Sequence, residues 1–253
     1  MKRALRSYLD SHCHLHEFTD EEIDGISALN LTIVAVSDDL PSSKRTLELA
    51  LRHEWVVPAL GLHPWEVSAD SVPDAQEIAK LVEESKGIVR ILGEVGLDKR
   101  FRAETIAYQL EVFRLFVELA RELRMGMTLH SVDTWREVLD IVYRNDVPVA
   151  VFHWYTGPIE LLKEIRDRGY MISVNPAIKI QQKHRKVVEA APLDMLLIES
   201  DAPYNYRGMK LHPSMVREVV AEIAKVKGLS IEEVSRVLME NSIRFLRLCG
   251  VQV

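Results

Sequence analysis

The sequence of 253 residues lacks the features that mark membrane proteins and disulfide-rich secreted proteins. It has no run of about 18 apolar residues, which argues against a transmembrane helix. Two cysteines, Cys13 and Cys249, are too few for a disulfide framework, and the first residues form no apolar signal-peptide core. We therefore expect free thiols in a cytoplasmic protein that does not bind membranes.

Glycine-rich nucleotide-binding motifs and linker sequences are also missing. No G-x-G-x-x-G motif or P-loop follows a predicted strand, and Gly93-Glu94-Val95-Gly96 lacks the third glycine. The net charge of −6 argues against a protein that coats nucleic acid nonspecifically, although a locally basic site remains compatible with it. No low-complexity or Gly/Ser-rich stretch divides the chain, so we expect one domain over residues 1–253.

What the sequence does contain is a regular alternation of short apolar runs and longer helical patterns. Runs such as LTIVAVSD (31–38) and MGMTLHSV (125–132) are continuous apolar strands, as in a parallel sheet buried on both faces. About eight strand–helix units predict an α/β protein with a (β/α)8 TIM barrel; an open doubly wound sheet is the alternative. The tail from Pro213 predicts two or three further helices, with breaks at residues 228–230 and near Asn241.

Polar side chains concentrate where the predicted strands end. Six of the nine histidines lie there: His12, His14, His16, His63, His130 and His153. Glu94 ends the fourth strand, and Glu199 and Asp201 end the eighth. Acids inside apolar strands are costly unless they are paired or bind metal, and the carboxyl ends of barrel strands form the active site of this fold. The pattern predicts a metal centre at this face.

Alternation along the first strand selects among the histidines of LDSHCHLH (9–16). His12 and His14 share one face of an extended strand, whereas Cys13 points to the other. Asp10 has the same parity but lies deeper, where we expect it to accept a hydrogen bond from an imidazole. His16 lies past the end of the strand, so we interpret it as a substrate contact outside the metal set.

The candidate ligands suit two divalent ions. Such a centre needs several nitrogen and oxygen ligands and a carboxylate that bridges the ions. Histidine nitrogen combined with carboxylate oxygen favours Zn, Mn or Mg over metals that prefer thiolates. The ligand set that the sequence predicts is His12, His14, Glu94, His130, His153 and Asp201.

These residues lie in motifs that resemble those of the TatD-type metal-dependent hydrolases. The resemblance follows the order of the eight predicted strands and covers almost the whole chain. It implies a (β/α)8 barrel, one or two divalent metals, and hydrolysis, most often of phosphodiester bonds at DNA ends. The motifs are DSHCHLH (10–16), GLHPW (61–65), GEVGLD (93–98), LHS (129–131), FHWYTG (152–157) and ESDAP (199–203).

The resemblance also implies roles for single residues. His12 and His14 correspond to ligands of the first metal with Asp201 beside them, Glu94 to the bridging carboxylate, and His130 and His153 to ligands of the second metal. His63 corresponds to a contact with the substrate phosphate. Glu199 orients a ligand from behind, or else forms a plain salt bridge in the barrel. His16 stands where the family usually has aspartate.

The mechanism that we hypothesise uses a hydroxide held between the metals, while Asp201 accepts its proton. Basic residues of the predicted loops would form a positive rim that contacts phosphate, with Arg100 and Tyr204 among the substrate contacts; solvated loop charges are the alternative. Tyr155, Tyr204 and Tyr206 either stack on unpaired bases or pack the rim. The basic residues are Lys99, Arg100, Arg102, Lys179, Lys183, His184, Arg185, Lys186, Arg207 and Lys210.

Three functions remain open at this point. The first is a metal-dependent deoxyribonuclease or phosphodiesterase that acts at single-stranded DNA ends. The second is an ester or amide hydrolase, for instance one that cleaves an aminoacyl ester on tRNA. The third is a binding barrel without activity, which the retention of all six ligand candidates disfavours. We expect a monomer or weak oligomer.

Overall fold

The computed structural model describes residues 5–253, so the first four residues of the predicted N-terminal segment lie outside it. Eight parallel strands form one sheet in which each strand pairs with the next along the chain. The strands are β1 (Tyr8–Cys13), β2 (Leu31–Ala35), β3 (Val56–Leu60), β4 (Ile91–Asp98), β5 (Gly126–Val132), β6 (Val149–Phe152), β7 (Met171–Val174) and β8 (Leu196–Ile198).

The last strand returns to the first and closes the sheet at its carboxyl end. The backbone N–H of His14 donates to the carbonyl of Ala202 at 2.8 Å, and that of Asp201 donates to the carbonyl of His12 at 3.0 Å. A short hairpin of β9 (Asn205–Tyr206) and β10 (Met209–Lys210) follows β8. The predicted (β/α)8 barrel is thereby confirmed.

Helices follow the strands and pack on the outside of the barrel. Two of the helices begin at capping residues that the sequence provides: Thr19 and Asp39 each form a capping box with the residue three positions further along the chain. No helix within residues 5–253 is long and apolar enough to span a membrane. The helices are α1 (Asp20–Ser27), α2 (Leu40–Arg52), α3 (Val72–Glu84), α4 (Ile106–Leu123), α5 (Trp135–Arg144), α6 (Leu161–Asp167), α7 (Gln182–Ala190), α8 (Val216–Lys227) and α9 (Ile231–Leu248).

The tail contains two helices, and the break predicted near Asn241 is wrong. Gly228 ends α8 in the left-handed conformation, as its sequence indicates. Asn241 instead lies inside α9, where its Nδ2 donates to the carbonyls of Leu193 and Leu196 at 2.9 and 2.8 Å. An asparagine that would ordinarily weaken a helix therefore satisfies two backbone acceptors of the barrel.

The helix α9 covers the amino-terminal end of the barrel. Its residues Phe245 and Leu246, and Cys249 directly after it, belong to the apolar cluster that fills the barrel interior, together with strand residues such as Leu9 and Met171. A second, larger cluster lies between the strands and the surrounding helices. The apolar filling at one end leaves the carboxyl ends of the strands for polar side chains.

Two strands carry an extra residue near the polar end. The pairing of β1 with β2 shifts between Asp10 and Cys13, and the pairing of β4 with β5 shifts between Leu92 and Val95. Such bulges redirect the side chains that follow them. They lie immediately before or among the predicted ligands of both strands.

Candidate metal centre

Glu94 lies at the middle of the site, and each of its carboxylate oxygens faces a different pair of imidazoles. Glu94 Oε2 is 2.9 Å from His12 Nε2 and 3.5 Å from His14 Nε2. Glu94 Oε1 is 2.8 Å from His130 Nδ1 and 2.8 Å from His153 Nε2. A carboxylate placed in this way can bridge two cations.

Asp201 completes the first of these two groups. Its Oδ1 lies 3.7 Å from His12 Nε2 and 3.6 Å from His14 Nε2. Its backbone φ is +54°, a left-handed value that is uncommon for a residue other than glycine. The hydrogen bond from its N–H to the carbonyl of His12 holds this conformation. Local strain of this kind is typical of functional positions.

In three of the four imidazoles that face Glu94, the outer ring nitrogen lies within 3.0 Å of a polar side chain; in His153 it lies 3.8 Å from Glu199, beyond a hydrogen bond. His12 Nδ1 is 2.9 Å from Thr128 Oγ1, and His130 Nε2 is 2.9 Å from Asp98 Oδ2. His14 Nδ1 lies 3.0 Å from an oxygen of Asp38. Partners on the outer nitrogen fix the ring and leave the inner nitrogen's lone pair for a cation. The donor set therefore fits divalent ions.

The pKa shifts of Glu94 and His12 favour metal binding, whereas in the other three imidazoles burial is outweighed by neighbouring carboxylates, which raise the pKa, so that metal binding must displace a proton from His14, His130 and His153. Burial raises the pKa of Glu94, but the imidazoles of His153, His63 and His12 outweigh it and hold this pKa well below its usual value. Burial lowers the pKa of His12, which favours the neutral ring. An ionised carboxylate beside a neutral imidazole is the state in which both bind metal.

Sequence reasoning missed three residues that support the ligands, namely Asp38, Asp98 and Thr128. Two of them had a signal in the sequence: Asp98 ends GEVGLD with the parity of Glu94, and Thr128 precedes His130 by two residues. Burial raises the pKa of Asp98, but hydrogen bonds from His130 and Trp65 outweigh it and hold this pKa at about 2. Asp98 is therefore an ionised acceptor for the imidazole of His130.

Asp10 differs from the prediction. Its Oδ1 accepts hydrogen bonds from the backbone N–H groups of Ser200, at 2.8 Å, and His12, at 3.3 Å, rather than from an imidazole. The cause is the bulge in β1, because two-residue alternation does not continue across an extra residue. Burial raises the pKa of Asp10 to about 7.

Glu199 is fully buried behind the second pair of imidazoles. Its Oε1 accepts a 2.8 Å hydrogen bond from the backbone N–H of Trp154 and lies 3.8 Å from His153 Nδ1. Its Oε2 accepts a hydrogen bond of 2.5 Å from the hydroxyl of Ser173. Glu199 thus fixes the backbone next to a ligand, and its contact with the ring of His153 is longer than a hydrogen bond.

His63 reaches the same centre as a hydrogen-bond donor. The backbone N–H of Trp65 donates to His63 Nδ1 at 3.1 Å, so the neutral ring carries its proton on Nε2. That Nε2 lies 3.3 Å from Glu94 Oε1. A protonated nitrogen cannot bind a cation, although His63, Glu94 and His130 are close enough to form a ligand group. The geometry suits a donor to substrate.

His16 is not among the residues that line the cavity over the metal centre, contrary to its interpretation as a substrate contact. Its Nδ1 lies 3.1 Å from the carbonyl of Val36, and its Nε2 lies 3.1 Å from Asp38 Oδ2. The chain turns into a short 3-10 helix after His14, so the alternation of β1 does not extend to His16. His16 therefore contacts Asp38.

Five of the ten predicted residues of the positive rim form ion pairs with acidic side chains. Arg100 lines the cavity, but its guanidinium forms two 2.8 Å hydrogen bonds to Asp133. His184 is fully buried in the core rather than exposed at the rim. The other pairs of predicted rim residues are Lys99–Glu137, Arg102–Glu104, Lys179–Glu218 and Arg185–Glu222.

The tyrosines divide between the core and the rim. Tyr155 is fully buried, and its hydroxyl donates to the carbonyl of Pro158, so it is unavailable for stacking on a base. Tyr204 and Tyr206 line the cavity of about 710 Å³ that lies over the metal centre, and Tyr204 is 42% exposed. A groove of about 880 Å³ between α4 and α5 contains none of the predicted ligands.

Comparison with known proteins identifies the family. The sequence model of the family described as TatD related DNase matches residues 9–247. The chain belongs to the TatD DNase family. Among its TatD-family relatives, the uncharacterised metal-dependent hydrolase MJ1582 of Methanocaldococcus jannaschii is 32% identical over 247 residues, which are 95% of this chain and 97% of that protein. The uncharacterised metal-dependent hydrolase YcfH of Escherichia coli K12 is 30% identical, with 95% and 96% covered.

Solved structures of TatD proteins share the fold. The TatD homologue YjjV of Escherichia coli K12 superposes with a TM-score of 0.85 at 24% identity, over 94% of this chain and 97% of that one. A hydrolase TatD family protein from Entamoeba histolytica superposes with a TM-score of 0.82 at 19% identity, over 96% and 99%. This chain is thus a TatD-family metal-dependent hydrolase with histidine and carboxylate clusters able to bind metal.

Proposed function

We propose that this protein is a deoxyribonuclease that hydrolyses phosphodiester bonds at the ends of single-stranded DNA, with two divalent ions. The observation that carries the proposal is that the two carboxylate oxygens of Glu94 face different pairs of imidazoles. One oxygen faces His12 and His14, and the other faces His130 and His153. Two-ion centres with a shared carboxylate are suited to in-line displacement at phosphorus. The DNase name of the family supports DNA as the polymer.

The ions would be held by Glu94, by the four imidazoles that face it, and by Asp201. When bound, divalent ions lower the pKa of water and stabilise the charge that develops on the phosphate. Zn, Mn and Mg all suit this donor set of nitrogen and oxygen.

Asp201 and His63 perform the remaining steps. Asp201 accepts the proton of the attacking water, because its carboxylate lies beside the first pair of imidazoles and is 5% exposed to solvent in the cavity. His63 donates its Nε2 proton as a hydrogen bond to a phosphate oxygen, since Nδ1 is occupied by the N–H of Trp65.

Burial of the centre supports attack at strand ends. Glu94 is 1% exposed and His130 is 5% exposed, so a scissile bond must enter the cavity to reach them. A scissile bond at the end of a DNA strand can enter the cavity with a longer DNA segment on one side only, whereas an internal bond needs room for DNA segments on both sides. This shape supports exonuclease-like removal of terminal nucleotides.

The test uses the purified protein, Mn²⁺ or Mg²⁺, and a single-stranded oligonucleotide labelled at one end. We expect products that shorten one nucleotide at a time and disappear when EDTA is added. The Glu94→Gln variant should be inactive, because its amide oxygen and nitrogen cannot bridge two cations. A circular single strand of the same length, which has no ends, should resist.

The same preparation tests the alternative substrate. Release of the amino acid from an aminoacyl ester of tRNA, with no cleavage of DNA, would overturn the deoxyribonuclease proposal and favour the ester hydrolase. Absence of both activities in protein shown to contain two ions per chain would also overturn it.

A further inference from the structure

One wall of the cavity over the metal centre is aromatic. The ring of Trp154 lies edge-on to Tyr206 at a centroid distance of 5.0 Å and to Tyr204 at 5.9 Å. All three line the cavity. Trp154 follows the predicted ligand His153, and Tyr204 lies three residues after Asp201. We name Trp154, Tyr204 and Tyr206 the aromatic wall.

Buried polar contacts hold Trp154 in an unusual conformation. Its φ is +38°, in the left-handed region that disfavours a bulky side chain. The buried carboxylate of Glu199 accepts its backbone N–H at 2.8 Å, and Gln181 Oε1 accepts its indole N–H at 2.8 Å. Such strain persists where surrounding contacts impose it, and it is concentrated at ligand-binding positions. The ring is thus fixed in advance beside the metal centre.

The other side of the cavity also carries exposed aromatic surface. Phe101 is 61% exposed, and its ring lies 5.7 Å from that of Trp65. The indole N–H of Trp65 donates to Asp98 Oδ2 at 2.7 Å, and the same oxygen contacts the predicted ligand His130. On each side of the cavity, an aromatic residue therefore forms a hydrogen bond with a carboxylate next to a predicted ligand: Trp154 with Glu199, and Trp65 with Asp98.

A cation with no acidic partner lies next to the aromatic wall. The guanidinium of Arg207 is 5.4 Å from the centroid of the Tyr206 ring. Within the described chain, residues 5–253, no carboxylate lies within 4.0 Å of it, unlike Arg100 across the cavity. Arg207 also lines the cavity, so its charge is available to an anionic ligand there.

We propose that the aromatic wall is a subsite for an unpaired nucleobase of a nucleotide whose phosphate lies at the metal centre. The inference rests on the proposed function. It identifies the unpaired base as the part of the substrate for which the cavity selects single strands. Bases inside a duplex have both faces covered by neighbours, whereas an unpaired base can stack on tryptophan and tyrosine. Arg207 would contact an adjoining phosphate.

The experiment compares stacking variants on three substrates. Tyr206→Ala removes ring surface from the aromatic wall, Tyr206→Phe retains it, and Tyr143→Ala is the matched control because Tyr143 is an exposed tyrosine at the far end of α5. The substrates are a single-stranded oligonucleotide with all bases present and versions with an abasic site at either nucleotide that flanks the first scissile bond.

We expect Tyr206→Ala to raise KM for the intact oligonucleotide by about tenfold or more, the range for loss of one base stack. The increase should be much smaller for one of the abasic substrates. Tyr206→Phe should have a KM close to that of the wild type, and Tyr143→Ala should leave KM unchanged. An equal increase on all substrates, or none on any, would overturn the subsite.

A binding measurement separates the subsite from the proposed function. Calorimetry with Mn²⁺-loaded protein compares a deoxynucleoside monophosphate with deoxyribose 5-phosphate, which lacks the base. Tighter binding of the nucleotide that is lost in Tyr206→Ala supports the subsite even if no oligonucleotide is cleaved. Equal binding of the two ligands contradicts the subsite even if the protein proves to be a nuclease.

Discussion

Asp38 links His16 to His14. Its Oδ1 lies 3.0 Å from His14 Nδ1, and its Oδ2 lies 3.1 Å from His16 Nε2. His16 is held in turn by the carbonyl of Val36, at 3.1 Å from its Nδ1. The histidine that stands where the family usually has aspartate thus contacts the predicted ligand His14 through a carboxylate.

Replacement of Asp38 by Asn should weaken the binding of one of the two ions. The amide still fills the space, but it lacks the negative charge that lies 3.0 Å from His14 Nδ1, and loss of such a partner typically costs about 10- to 100-fold in metal affinity. Competition with a coloured chelator measures the affinity. Asp167→Asn, in an exposed ion pair with Lys163, is the control. Equal affinities in the variant and the wild type would contradict this role.

His16 should affect the ion only through Asp38. We expect His16→Ala to weaken metal binding by less than Asp38→Asn does, because one contact of the carboxylate is lost rather than its charge. In the double variant, the two effects should not add, since residues that act through one contact are coupled. Full additivity in the double-mutant cycle would show that His16 acts independently.

Asp201→Asn should reduce kcat without unfolding the protein. Asparagine tolerates the left-handed conformation of this position, so the backbone is preserved, but the amide cannot accept a proton. Loss of a general base typically costs about 10²- to 10⁴-fold. Steady-state kinetics and a thermal melt measure the two effects. Wild-type turnover by Asp201→Asn or Asp201→Ala would remove Asp201 from the mechanism.

Removal of metal should lower the melting temperature, and Mn²⁺ or Zn²⁺ should restore it. Ions that bind only the folded state stabilise it in proportion to the logarithm of their concentration over Kd. Thermal melts with EDTA, with and without excess metal, measure the change. Glu94→Gln should show a much smaller difference between these conditions. A melting temperature that is independent of metal in the wild type would argue against resident ions.

Gly96→Ala should destabilise the barrel strongly. Gly96 has a φ of +149°, and a Cβ there would lie 1.9 Å from the backbone carbonyl oxygen of His130. Strained conformations and overpacking each cost on the order of 1–3 kcal/mol. Urea unfolding measures the free energy, and Gly87→Ala is the control because an added Cβ meets nothing within 4 Å. Similar stability of the two variants would contradict this expectation.

The strand ends could be predicted from the sequence because apolar runs stop where polar residues begin. That boundary identifies Glu94, His130 and His153 as neighbours before any coordinate is known, since parallel strands in a barrel share one rim. Asp38 lies at such a boundary too, after LTIVAVS, but it lacks a motif that would separate it from an ordinary loop aspartate. Its role depends on where His14 places Nδ1.

Features that depend on exact register or on distant partners could not be predicted. Simple alternation places Asp10 beside His12, and the extra residue in β1 changes its direction. Lys179 looks like a free loop cation until Glu218, 39 residues away, is seen beside it. Pairing of surface charges depends on side-chain positions that no local pattern specifies.

The position of α9 has a consequence for how the polypeptide acquires its shape during synthesis. Phe245, Leu246 and Cys249 fill the interior beside the first residues of strands such as β5, where Gly126 leaves room for the Cys249 thiol. When all eight strands of a nascent chain have left the ribosome but α9 has not, the amino-terminal end of the barrel is still open and its apolar interior is exposed. We expect chaperones to bind this exposed apolar end until the last turns of α9 have left the ribosome.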